Sequence, residues 1–396
     1  MNSFILKIIF ALTFWANLGT VGNLVFDRYL TVFFSCFVLL ILFLRVNKNQ
    51  FVYFKKINIY IFIYCIYNAV LSFFSVNKDL SSIQTLVLNT DIEYSPASAF
   101  VGMAFALKII SLFLVIEYSI LHKSFYTLLK VFFSLTMLLL IINDVLVLVN
   151  GVNFSGNGYF LGNKFQVAYM HYFAFLFYTL KKIYISSLNA TKCYLFIFWT
   201  AAISILLHCT TTLLGSILLM LFFLFRTKKI ALFYNPNFTI LLILFTASFF
   251  WLFSNILDNS YIHYFLVDIL GKDPTLTGRI GIYALLDDTF LRDTVGGVGL
   301  ENSHFFMSYL FGAANTQNGL FEVWVEQGLI GALLFLIIIY VMLNSARKNE
   351  FKEFTYPIVA LMYVFILLGT VEITFGYRFC ILLSFLVPVF YTKKHF

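Results

Sequence analysis

Residues 258–318 read DNSYIHYFLVDILGKDPTLTGRIGIYALLDDTFLRDTVGGVGLENSHFFMSYLFGAANTQN, and residues 319–341 follow at once as GLFEVWVEQGLIGALLFLIIIYV. The first stretch gathers Asp, Arg, Gly and Asn; the second is apolar apart from two carboxylates at its mouth. This junction decides the fold class, because nearly all of the remaining chain reads like the second stretch. Of 396 residues, 61% are hydrophobic and 11% are charged, whereas soluble domains carry about 25% charged residues. The chain therefore reads as a polytopic membrane protein. Backbone amides in hydrocarbon must be satisfied within the segment, and the apolar runs are continuous rather than alternating, so the spans are expected to be helices and not barrel strands.

The pattern predicts an all-α integral membrane protein of about twelve transmembrane helices, near 4–26, 29–45, 57–76, 99–121, 126–149, 165–180, 193–209, 212–226, 238–257, 319–343, 356–375 and 377–392. Residues 1–257 then hold nine spans, 258–318 form one large structured loop, and 319–396 hold the last three. With the N-terminus inside, eighteen Lys and Arg fall on the cytoplasmic side, seven fall on the other side and Lys108 lies within a span. Loops rich in Lys and Arg stay in the cytoplasm. Both termini are thus expected inside and the polar loop on the extracytoplasmic side. That parity requires residues 193–226 to split into two short helices, with the polar group His208, Thr210, Thr211, Thr212, Gly215 and Ser216 at the hairpin tip or lining a cavity. The first span has Lys7 before an apolar run but no A-x-A site, and reads as an anchor.

Composition and motifs exclude several chemistries. The five cysteines sit in apolar segments without disulfide or metal spacing, so no metal is expected. The chain has no DxD-like pair, Walker loop or Gly-rich dinucleotide turn, which argues against nucleotide sugars, nucleoside triphosphates and any cofactor. Its 51 Phe and 24 Tyr are not interleaved with a basic patch, so nucleic acid is not an expected partner.

The candidates for chemistry lie on the outer side. Arg279, Arg292 and Arg378, with Lys164 at the end of the Asn- and Gly-rich loop 150–164, could hold an anion or could snorkel at the interface. A guanidinium offers a planar fork to phosphate oxygens. Asp287, Asp288, Glu301 and His304 are candidate proton acceptors. Glu322 and Glu326 share a face of the tenth span, where a carboxylate is expected to face protein or a polar cavity. Gly297 and Gly299 could form an anion-binding nest or a plain turn.

The order Gly278-Arg279, Tyr283, Gly297-Val298-Gly299, then Asn318, Leu320, Glu326, Gly328 and Gly331 resembles the O-antigen polymerase and ligase superfamily over about residues 275–331. The resemblance implies a GT-C-like membrane glycosyltransferase. Its substrate would be an oligosaccharide on undecaprenyl pyrophosphate, its setting the lipids of a bacterial inner membrane, and it admits a chain-length regulator as partner. Taken with the readings of the residues themselves, it leaves Arg279, Glu326, His304 and Asp287 as catalytic candidates, with Arg292, Arg378, Lys164, Gln317, Asn318, Gly297 and Gly299 as substrate-binding candidates. The family's His-Asn pair is Gln317-Asn318 here. Glutamine cannot take a proton near neutral pH, which favours polymerase over ligase and leaves the base open. A flippase for lipid-linked oligosaccharide is the reading of a different class.

Overall fold

The computed structural model describes residues 3–19, 24–45, 56–75, 99–150, 159–185, 188–225, 231–252, 295–303, 307, 315–349 and 352–391. Twelve α-helices run through these residues: α1 (Ser3–Leu18), α2 (Leu24–Arg45), α3 (Lys56–Ser75), α4 (Ala99–Leu121), α5 (Phe125–Asn150), α6 (Lys164–Ile185), α7 (Ala190–Leu206), α8 (Thr210–Leu224), α9 (Pro236–Leu252), α10 (Gly319–Lys348), α11 (Lys352–Leu368) and α12 (Tyr377–Ser384). Among the described residues, five stretches are long and apolar enough to cross a membrane: Phe26–Leu44, Ile57–Ser75, Ala99–Leu121, Phe125–Val149 and Gly319–Lys348. Helices α1, α7, α8 and α9 are equally apolar but shorter.

Helix α4 is the axis of the bundle. It packs against α1, α2, α3, α5 and α12, and 61% of its membrane-length stretch is buried, against 17% for α2. The exposed side of α2 carries Phe26, Phe33, Phe37, Leu40 and Phe43, an apolar face suited to lipid. A second group, α6, α8, α9 and α12, surrounds α11. Between α7 and α8 the chain turns at Leu207–Cys209, where His208 takes φ 49° and the Cys209 N–H returns to the Ser204 carbonyl at 2.9 Å. Residues 193–226 are therefore two helices. Their polar tip is packed only on one side: Thr212, Gly215 and Ser216 are buried, the Tyr172 hydroxyl donating to the Thr212 carbonyl at 2.7 Å and closing over Gly215, while His208 and Thr210 are exposed.

The C-terminal segment corrects the expected span at 377–392. Here α12 has only eight residues and gives way to a 3-10 turn at Val387–Phe390, so the helix is about 12 Å long against a hydrocarbon core of about 30 Å. Pro388 has no N–H to continue an α-helical ladder. The segment is apolar because it is core: Phe379, Cys380, Ile381, Leu382 and Leu383 are fully buried.

Candidate functional site

Helix α10 is broken at Gly328, which takes φ 67° and ψ 179° inside an otherwise helical run. The break removes the ordinary partners of nearby backbone groups, and residues 295–299 supply new ones. The Leu329 N–H donates to the Val295 carbonyl at 3.0 Å, while Val298 and Gly299 donate to the carbonyls of Val325 and Glu326 at 2.9 and 2.8 Å. A discontinuous helix in a membrane requires such repair. Gly297, with φ 74°, lies against Gly328: a Cβ on Gly297 would stand 2.6 Å from the Gln327 carbonyl carbon, and one on Gly328 2.6 Å from the Gly297 nitrogen. The glycine turn thus serves the helix joint, with the Gly299 amide donated to α10 rather than to an anion nest.

This joint places the carboxylates. Glu301, itself at φ 64°, gives its N–H to Glu326 Oε1 at 2.7 Å and pairs through its side chain with Arg28 of α2. Ser303 Oγ donates to Glu322 Oε1 and lies 3.0 Å from Glu326 Oε1. Glu322 Oε2 accepts from the Thr316 amide and hydroxyl at 3.2 and 2.8 Å. Asn318 is the N-cap of α10, its Oδ1 accepting from Leu320 and Phe321 at 3.1 and 3.2 Å and its Nδ2 donating to the Ala247 carbonyl at 3.2 Å.

Beside these groups lies a cavity of about 250 Å³, into whose wall Arg28, Lys108, Arg378, Glu301, Glu322 and Glu326 all enter. Lys108 is the tenth residue of α4, about 14 Å from its start, so a cation lies well inside the bundle. The two deep cations meet rings instead of carboxylates. The Lys108 ammonium sits 3.7 Å from the Tyr377 ring centre, and the Arg378 guanidinium sits 4.3 Å from that of Tyr169 while its Nε donates to the Tyr377 hydroxyl at 3.1 Å. Among the described residues the Lys or Arg ion pair is Arg28–Glu301, and away from this cavity His171 Nε2 and Asp144 Oδ2 share a hydrogen bond at 3.1 Å. A cation–π contact supplies about 0.5–2 kcal/mol, far less than the several kcal/mol needed to desolvate an ion. An anion entering the cavity would complete the environment of both cations.

The expected site residues divide three ways. Glu326 and Arg378 come together at the cavity, and Gly297, Gly299 and Asn318 build the helix joint and cap beside it. Lys164 opens α6 without lining the cavity, its ammonium 5.6 Å from the Phe165 ring centre, and Gln317 precedes the cap at φ 54° with its N–H on Asn315 Oδ1 at 2.9 Å. Arg279, Asp287, Arg292 and His304 lie outside the described residues. Sequence reasoning passed over Arg28 and Lys108 as site residues. The available signal was a lone lysine inside an apolar span.

No family model, curated protein or solved structure matches the chain.

Proposed function

We propose that the chain is a surface-polysaccharide polymerase of a bacterial inner membrane. On this reading it transfers a growing glycan from undecaprenyl pyrophosphate to the terminal hydroxyl of a lipid-linked repeat unit at the periplasmic face. The observation that carries the reading is the cavity in which Lys108 and Arg378 lack carboxylate partners among the described residues while Glu322 and Glu326 line the same space. Transfer from a lipid pyrophosphate leaves negative charge on the departing phosphate, and fixed cations in a site shielded from water stabilise it. The acceptor hydroxyl must lose a proton, which a carboxylate can take. The large polar loop joins this cavity through residues 295–303, and the motif order at 278–331 supports the same assignment.

A flippase is the second reading, favoured by one observation: Lys108, a charge in the middle of a membrane-length helix, lines a cavity. Deletion of the chain separates the alternatives. Loss of a polymerase leaves lipopolysaccharide capped with a single repeat unit. A flippase defect leaves repeat units in the cytoplasmic leaflet, and a ligase defect leaves long polymer stranded on undecaprenyl pyrophosphate. Gel profiles showing single-unit caps support the polymerase; either of the other outcomes removes it.

A further inference from the structure

We propose that Glu326 is the proton acceptor for the attacking sugar hydroxyl and that Ser303 positions it, an assignment resting on the glycosyl-transfer reading. Three carboxylates reach the cavity, and their bonding distinguishes them. Glu301 is held in an ion pair with Arg28, which occupies its Oε2. Glu322 is occupied on both oxygens, by Ser303 on one and by the Thr316 amide and hydroxyl on the other. Glu326 differs. Its Oε1 is fixed by the Glu301 amide at 2.7 Å and lies 3.0 Å from the Ser303 hydroxyl, whose one proton it shares with Glu322 Oε1, whereas its Oε2 has no hydrogen-bond partner among the described residues. One oxygen is anchored and the other is open, in a residue that lines the same cavity as Lys108 and Arg378.

The main chain is anchored as well as the side chain. The helix break at Gly328 frees the Glu326 carbonyl, and the Gly299 amide takes it at 2.8 Å. A base must lie within hydrogen-bond reach of the proton it removes, and two fixed points on one residue keep Oε2 from swinging away. In the reaction, the acceptor oxygen forms a bond to the anomeric carbon of the donor glycan as the bond from that carbon to phosphate breaks. The hydroxyl proton passes to Glu326 Oε2. The electron pair of the broken bond remains on undecaprenyl pyrophosphate, whose added charge faces the cations, and the proton then leaves Glu326 to water.

The test uses full-length protein in lipid nanodiscs, with lipid-linked repeat units extracted from a strain deleted for the chain. Glu326→Gln preserves the acceptor atom that Glu301 and Ser303 address, so it is expected to fold. It should lower kcat by at least about 100-fold while photocrosslinking to the lipid pyrophosphate persists, and Glu326→Asp should restore part of the rate. Ser303→Ala should lower kcat about 10-fold without changing KM, as expected for one lost hydrogen bond, and Ser303→Thr should restore it. Elongation by Glu326→Gln within threefold of wild type overturns the base assignment and leaves the transfer reading intact. An unchanged kcat in Ser303→Ala overturns the positioning role. Wild-type protein that elongates nothing overturns the transfer reading and the assignment together.

Discussion

Helix α4 carries two charges nine residues apart, Glu117 buried and Lys108 half-buried, and the molecule treats them in opposite ways. Glu117, near the end of α4, accepts hydrogen bonds from Asn58 of α3 and from the Tyr391 hydroxyl. Lys108, toward the start of the helix, opens onto a cavity and meets the face of Tyr377 rather than a carboxylate. A buried charge that is closed by donors ties elements together, here α4 to α3 and to the C-terminal segment. One left open to a cavity is available to a ligand. The two ends of the same helix thus hold one closed charge and one open charge.

The largest expected effect comes from removing the open charge. Lys108→Met should cut elongation by roughly 10²- to 10³-fold, corresponding to about 2.7–4 kcal/mol of lost stabilisation of departing charge, with no loss of thermal stability because no ion pair is broken. Melting curves and ladder assays on the same preparation check both halves. A variant that melts early would erase the contrast with Glu117. Next, Gly328→Val should destabilise the cavity end by roughly 3 kcal/mol or more, since it combines a left-handed backbone with contact against the main chain of residues 295–297. Limited proteolysis between α9 and α10 would detect the loosened joint.

The closed charge should behave in reverse. Glu117→Ala leaves donors of Asn58 and Tyr391 without their acceptor, so stability should fall by about 2 kcal/mol while turnover per folded molecule stays near wild type. A loss of turnover matching that of Lys108→Met would contradict the division. The smallest effect sharpens the role of Asn318: replacing this cap with Ala should cost about 1 kcal/mol, and a selective loss of donor binding at full stability would return it to the substrate-binding residues.

The run lengths of apolar sequence carried most of the helical layout. Each of the twelve apolar segments contains a helix, including the two short ones at 193–226, because continuous apolar runs broken by polar knots translate directly into helices and turns. It misjudged 377–392, since a segment buried on every side by protein is as apolar as one facing lipid. The cavity was only half legible. Glu326 and Arg378 stood out as charges at the mouths of apolar runs, but Arg28 and Lys108 join them only through packing of α2, α4, α10 and α12, which no spacing along one helix encodes. The Gly297–Gly328 joint was hidden for the same reason, as both glycines are explained only by each other's backbone.

The central claim is that this cavity receives the pyrophosphate of the lipid-linked donor. Photocrosslinking of a diazirine-bearing undecaprenyl pyrophosphate oligosaccharide to the protein in nanodiscs, followed by peptide mapping, tests it most directly. The account predicts labelled peptides from α4, α10 and α12, lost in the Lys108→Met variant. Labelling confined to other helices, or undiminished in that variant, would contradict it.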